Sequence, residues 1–210
     1  MSIRIRKALC SVCTSVLVAT GALADDVLRY QKDDARQREW ILTSRGVVLV
    51  DAGITSVVEL PGWSWAGEAY VCPPDLALGP EGEALVSSNV IASLWRIDPV
   101  SLRVTKHDLV LDAHVEKDVG FTGLRYAPAL RSYFAVSEFG ALWRIDPLLR
   151  RAQQIPLEPP LQRACGLTLA RSDSRRGQRL PLLCVRAQGS QWSIRLAPDQ
   201  RAAYAHHSCG

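Results

Sequence analysis

None of the short signatures of nucleophilic, phosphate-binding or dinucleotide chemistry occurs in the 210 residues: there is no GxSxG, no HExxH, no P-loop and no GxGxxG. No local motif therefore announces an enzyme class. Long apolar runs are missing too. The run from Ala8 through Val18 is shorter than the roughly 20 residues a membrane helix needs, and Asp25 and Asp26 follow soon after it. Arg4, Arg6 and Lys7 precede that run and Ala22-Leu23-Ala24 closes it, which is the pattern of a secretory signal peptide over residues 1–24, cleaved before Asp25. No cysteine follows the small residues, as a bacterial lipid anchor would require, and the arginines are not adjacent, so the general secretory route is expected. The expectation is an exported protein, periplasmic or extracellular, with no membrane span in the mature chain.

An excess of one charge is absent as well. The whole chain carries 25 basic and 21 acidic side chains, but three of the basic ones lie in the leader, leaving 22 against 21. A near-neutral mature chain offers no general attraction to nucleic acid or to anionic membranes. Cysteine is scarce and widely spaced after the leader: Cys72, Cys165, Cys184 and Cys209 form no CxxC, which argues against a zinc or haem site. In an oxidising compartment these four cysteines suggest up to two disulfides, with three possible pairings.

Repetition is what the sequence does contain. Ser93-Leu-Trp-Arg-Ile-Asp-Pro99 returns as Ala141-Leu-Trp-Arg-Ile-Asp-Pro147, 48 residues on, and Trp192 follows Trp143 by 49. A degraded copy, Gly46-Val-Val-Leu-Val-Asp51, places Asp51 47 residues before Asp98. Within the signature Trp95 and Ile97 point to one face of a strand and Leu94, Arg96 and Asp98 to the other, while Asp-Pro starts a turn. Between the copies the alternation of short apolar runs and Gly/Pro turns predicts four strands per unit. Leu76–Leu78, Ala84–Ser88, Leu94–Asp98 and a strand beginning near Leu102 make the second unit. Residues 120–147 repeat this without a gap at a shift of 48, setting Leu85-Val86 on Tyr133-Phe134. The fourth unit restarts at Gly166 and regains register at Cys184, aligned with Ala135 and Ser87. In the first unit the charged stretch Gln31–Glu39 reads equally as a helical turn or a solvated loop.

Four-stranded sheets recurring every 40–50 residues or so are the mark of β-propeller blades. The expected fold is all-β, a propeller-like array of about four antiparallel blades spanning residues 25–210, with units near 25–60, 61–109, 110–157 and 158–210. With strands ending in Ile-Asp-Pro, the chain resembles propellers of the NHL, YVTN and gluconolactonase-like group over nearly all its mature length. That resemblance concerns the fold; its members include binding scaffolds, lyases and metal-dependent lactonases. Such propellers usually have six or seven blades. Four blades here leave three forms open: a compact ring, a ring completed by self-association, or an open array covered by a partner.

Candidate sites compete with ordinary structural readings. Arg171, Arg175, Arg176 and Arg179 lie on an enlarged hairpin loop of the fourth unit, and Trp63 and Trp65 on a loop after a Pro-Gly break; these are the candidate contact residues for a protein or small ligand. The resemblance to lactonases implies a channel cation (Ca, Mg or Zn), for which Glu68, Asp75, Asn89 and Glu138 are the available ligands. Asp112, His114, Glu116 and Asp118 alternate along the link between units two and three, where a solvated loop is the ordinary reading. His206 and His207 near Cys209 read as a tethered or disordered tail. Cys165 and Cys184 flank the enlarged hairpin, so one expected pairing joins them and leaves Cys72 with Cys209. The function expected is a binding or assembly module with no catalytic residues and no cofactor. A divalent-metal hydrolase with carboxylates at the channel is the alternative, and a subunit completing its propeller by self-association is another.

Overall fold

The computed structural model describes residues 26–67, 72–113, 120–170, 182–187, 189–197, 199, 201–207 and 209. They form four sheets in chain order. The first contains β1 (Val27–Asp33), β2 (Arg38–Thr43), β3 (Gly46–Asp51) and β4 (Ile54–Val58). The second contains β5 (Leu76–Leu78), β6 (Ala84–Ser87), β7 (Ser93–Ile97) and β8 (Val104–Asp108). In the third, the short β9 (Val110–Leu111) pairs in parallel with the outer edge of a meander of β10 (Gly123–Ala127), β11 (Ser132–Val136), β12 (Leu142–Ile145) and β13 (Arg151–Ile155). The fourth repeats the device: β14 (Leu157–Glu158) lies parallel to β18 (Ala203–His207), outside β15 (Cys165–Ala170), β16 (Leu182–Ala187) and β17 (Ser190–Leu196). Each added strand occupies what would otherwise be a bare sheet edge.

These sheets are the blades of a four-bladed propeller ring, with β1, β5, β10 and β15 as successive neighbours at the axis. Gln31–Glu39, read as helical turn or loop, is instead the tip of the β1–β2 hairpin, with Lys32 opposite Glu39 and Asp33 opposite Arg38. The signature strand packs as its alternation demands. Trp95 and Ile97 are fully buried against Trp40, Leu42 and Leu49 of the first blade, while Leu94 turns the other way into the core shared with the third. Trp143 repeats this one blade on, its ring edge-on to Phe121 at 6.4 Å, and Trp192 repeats it again against Phe134 and Val136. Asp98 accepts hydrogen bonds from the Val100 and Ser101 N–H groups and the Ser101 hydroxyl, which hold its carboxyl below the usual carboxylate range. Asp146 does the same work for Leu148 and Arg150.

Three apolar cores lie between blades one and two, two and three, and three and four. Among the described residues no such core joins the fourth blade to the first. The facing surfaces at that seam are accordingly mixed. The first blade presents Tyr30 at 49% and Val57 at 68% exposure, and the fourth presents Thr168, Arg186, Gln191 and Arg195.

Strand pairing corrects the gapless alignment. Val86 pairs with both Leu76 and Trp95, whereas in the third blade Ala135 pairs with both Leu124 and Trp143, so the middle strand is displaced by 49 and not 48. The 3₁₀ turn Pro128–Leu130, closed by Arg131 in the left-handed region, makes the first hairpin loop one residue longer. The next loop is one residue shorter, and the overall period survives. In the fourth blade Val185 is opposite both Leu167 and Trp192, which sets Cys184 with Phe134 and Leu85, on the face pointing away from the preceding blade. A slip of one residue exchanges faces.

That exchange corrects the disulfide pairing as well. Cys184 lies opposite Thr168, while Cys165 lies two residues along the ladder opposite Arg186. Cys165 instead bonds Cys72, across 93 residues and a Cα separation of 5.2 Å, linking the loop before β5 to the fourth blade. Cys184 bonds Cys209 at 6.0 Å, tying the tail after β18 back to β16. Digestion of the unreduced protein is expected to release a Cys72 peptide joined to a Cys165 peptide. A Cys165–Cys184 cross-link would contradict this register.

Candidate functional site

At the axis the position before each inner-strand leucine decides how closely the blades approach. In the third and fourth blades it is Gly123 and Gly166. A Cβ on Gly123 would lie 2.8 Å from the Gly166 carbonyl carbon and 2.7 Å from Val136 Cγ2, so only glycine lets β10 and β15 meet there. Across this contact the Gly166 N–H donates to the Thr122 carbonyl at 2.8 Å, and the Thr122 hydroxyl donates to the Ala164 carbonyl at 2.6 Å.

The second blade places Asp75 at the same position. Asp75 is fully buried, and its carboxylate is surrounded by donors from three blades. Oδ1 accepts from the Leu76 N–H at 2.9 Å and from Arg29 Nε of β1 at 3.2 Å. Oδ2 accepts from the Leu124 N–H of β10 at 2.8 Å and from Arg125 Nη1 at 3.4 Å. The Asp75 N–H donates to the Ser87 hydroxyl oxygen at 2.8 Å, and that hydroxyl donates in turn to the Phe121 carbonyl. Burying a carboxylate is tolerable only with this degree of charge pairing and hydrogen bonding.

Around this hub a cavity of about 650 Å³ opens toward the outward face of the fourth blade. Every blade or its flanking loop contributes: Arg29 from the first, Pro73 and Asp75 from the second, Arg125 from the third, and Arg163, Thr168, Arg186 and Gln191 from the fourth. Cys165 and Cys184 are both in its wall, so the two disulfides frame it. The volume lies within the range of small-molecule sites, roughly 300–1,000 Å³. Arg29 and Arg125 are held by Asp75 with side-chain exposures of 24% and 17%. Arg163 and Arg186 are exposed, and among the described residues no carboxylate pairs with either.

Of the candidate contact and cation-binding residues singled out from the sequence, Asp75 lies in this pocket, where arginine and main-chain donors surround it, and the others fall elsewhere or serve the fold. Arg171, Arg175, Arg176 and Arg179 lie outside the described residues, as do Glu68, His114, Glu116 and Asp118. Trp63 and Trp65 are half-buried and stacked at 6.0 Å; their indole N–H groups donate to the carbonyls of Ser87 and Ser44, stapling the loop to blades two and one. Asn89 clamps the same loop, donating to the carbonyls of Ala66 and Cys72 and accepting from the Ala66 N–H. Glu138 is half-buried in the loop after β11, and its carbonyl accepts from the Ala164 N–H. Asp112 accepts from the Gln154 N–H at 2.7 Å. His206 is exposed on β18. Among the described residues, no three His, Cys, Asp or Glu side chains gather as they would around a metal ion. Outside the axis, the Tyr133 hydroxyl donates to the buried Glu83 carboxylate at 3.1 Å; burial first, and then Glu83, push the phenol well above its usual range.

Sequence reasoning missed Arg29, Arg125, Arg163 and Arg186 because each comes from a separate part of the chain. One signal was available: Asp75 stands where the third and fourth blades carry Gly123 and Gly166, and a charged residue at a position that is glycine in two other copies of a repeat marks a specialised site.

No family model and no curated protein sequence matches the chain. Solved structures resemble it at low identity. An auxiliary nutrient binding protein from Bacteroides ovatus aligns with 88% of the chain and 47% of its own, at 9% identity and a TM-score of 0.60. Virginiamycin B lyase from Staphylococcus aureus aligns with 88% of the chain and 70% of its own, at 12% identity and a TM-score of 0.51. The Malassezia sympodialis allergen Mala s 1 aligns with 63% of the chain and 40% of its own, at 13% identity and a TM-score of 0.47. The chain therefore spans less than half the length of two of these three proteins. The likeness to the first two is one of fold: this is a β-propeller chain.

Replacing Asp75 by Ala is expected to lower the unfolding free energy by about 3–5 kcal/mol, since it leaves two guanidinium groups and two main-chain donors without their shared acceptor. Urea unfolding followed by tryptophan fluorescence would report this, and a loss under 1 kcal/mol would contradict the hub.

Proposed function

We propose that the chain is an exported binding module whose recognition site is the axial pocket between the inner strands and the outward face of the fourth blade. One observation carries this reading. A single cavity of small-molecule size draws side chains from all four blades and is bordered by both disulfides. Such cross-bracing keeps a concave site preformed, which reduces the entropic cost of ligand capture. Two disulfides fit an oxidising compartment, in keeping with the signal-peptide pattern of residues 1–24, and the finer assignment to a periplasm belongs to this proposal. The nutrient-binding description of the Bacteroides ovatus protein accords with a binding role, while its fold alone is what the two chains share.

A second reading has its own observation. The seam between the first and fourth blades lacks an apolar core among the described residues and exposes Tyr30 and Val57, as expected of a chain that completes its propeller with another copy. Native mass spectrometry across a hundredfold range of concentration would separate the two. A monomer throughout supports the self-contained module, and a defined oligomer supports ring completion.

For the binding reading, Thr168→Trp introduces an indole into the pocket from an exposed strand position. Small molecules that co-purify with the native chain are expected to be lost from this variant while its melting temperature stays within about 2 °C, a change of no more than about 1 kcal/mol for a chain of this size. Ligands retained equally by both would move recognition away from the pocket.

A further inference from the structure

The charge of the axial pocket identifies the class of ligand it takes. Four guanidinium groups, those of Arg29, Arg125, Arg163 and Arg186, line it, and Asp75 is the one carboxylate among its described lining residues. The formal balance is +3 within a single cavity, although the chain as a whole carries 25 basic against 21 acidic side chains. Concentrated positive charge is unfavourable unless something offsets it. Asp75 cannot offset more than one unit, and both of its oxygens are already engaged by Arg29, Arg125 and two main-chain N–H groups.

From this imbalance we infer that the pocket binds a small polyanion, a molecule with two or more negative charges on carboxylate or phosphate oxygens. The inference rests on the reading of this pocket as the recognition site. The guanidinium groups divide into two kinds. Arg29 and Arg125 are anchored through Asp75, and Arg29 Nη1 and Arg125 Nη1 also donate to the carbonyls of Leu28 and of Leu76 and Leu124. That anchoring fixes two planar donors at the floor of the pocket before any ligand arrives. Arg163 and Arg186 stand at its exposed side, from the loop before β15 and from β16, without a carboxylate partner among the described residues. Arg163 is held in the left-handed backbone region at φ 52°, which defines where its side chain leaves the loop. Gln191, directly opposite Arg186 on the neighbouring strand, adds a neutral amide. Guanidinium forks match carboxylate and phosphate oxygens in pairs, and such charge-assisted hydrogen bonds are about twice as strong as neutral ones. The net positive charge of the lining disfavours a bound cation, and Asp75, with both oxygens already accepting from Arg29, Arg125 and main-chain N–H groups, is not free to hold one.

The test uses the mature chain with both disulfides formed, titrated calorimetrically with citrate, with inorganic phosphate and with glucose at constant ionic strength. Arg163→Ala with Arg186→Ala removes the two arginines whose side chains have no carboxylate partner among the described residues, and Thr168→Trp blocks the pocket. The expected result is saturable one-to-one binding of citrate or phosphate, weakened at least tenfold in the arginine variant, abolished by Thr168→Trp, and weakened by added salt. Citrate without phosphate would assign a carboxylate ligand, and phosphate without citrate a phosphorylated one; both support the inference. Glucose binding that is lost in Thr168→Trp, with no binding of either anion, would overturn the polyanion inference and leave the binding module standing. Anion binding unchanged in both variants would place it elsewhere and overturn the inference. Absence of saturable binding by all three probes would overturn it too, together with the pocket's claim to be the recognition site if Thr168→Trp also retains every co-purifying ligand.

Discussion

A single buried carboxylate governs how the blades meet at the axis. Asp75 gathers a guanidinium from the first blade, its own main-chain neighbour in the second, and a main-chain N–H with a second guanidinium from the third. Desolvating a carboxylate is costly, and the cost is offset only when all these donors are in place together. The interaction is therefore conditional on the assembled blades, and it couples the two separately cored interfaces among the first three blades into one cooperative unit. The fourth blade joins by other means: the glycine contact between Gly123 and Gly166, the Thr122 hydroxyl, and the Cys72–Cys165 disulfide.

The same carboxylate shapes the site. By spending its oxygens on Arg29 and Arg125, it buries part of each side chain and keeps both at the floor of a cavity whose remaining wall is the polar face of the fourth blade. That face is polar, and among the described residues no apolar core joins it to the first blade. The open seam and the pocket therefore share one face of the fourth blade. The incomplete apolar packing at the seam and the accumulation of arginine around it are two consequences of one architecture.

Much of the architecture was legible in the residues. The tryptophan–isoleucine alternation of SLWRIDP and ALWRIDP fixes a strand face, and the aspartate before proline fixes the turn after it; both behave as local physics requires. Cys184 was misplaced because two loops of compensating length hide a one-residue shift behind a constant 48-residue period, and a shift of one residue turns a side chain to the opposite face. The Gln31–Glu39 stretch is ambiguous because its charged residues carry no period; it becomes a hairpin through the pairing of β1 with β2, in a sheet that β3 and β4 extend, and that sheet is not written in the local sequence. The pocket arginines were illegible for a simpler reason. Residues 29, 125, 163 and 186 converge only when four blades close around an axis, and nothing near any of them in sequence records that meeting.

The central claim is that Asp75 couples the first blade to the third. The most direct measurement is a double-mutant cycle on unfolding free energy with Arg29→Ala, Arg125→Ala and the combined variant, each made in the native chain and in Asp75→Ala. Residues sharing one buried charge network depart from additivity by about 0.5–3 kcal/mol. The account predicts a coupling energy of that size between the two arginines, vanishing once Asp75 is removed. Additive losses, with the same arginine effects whether or not Asp75 is present, would contradict it.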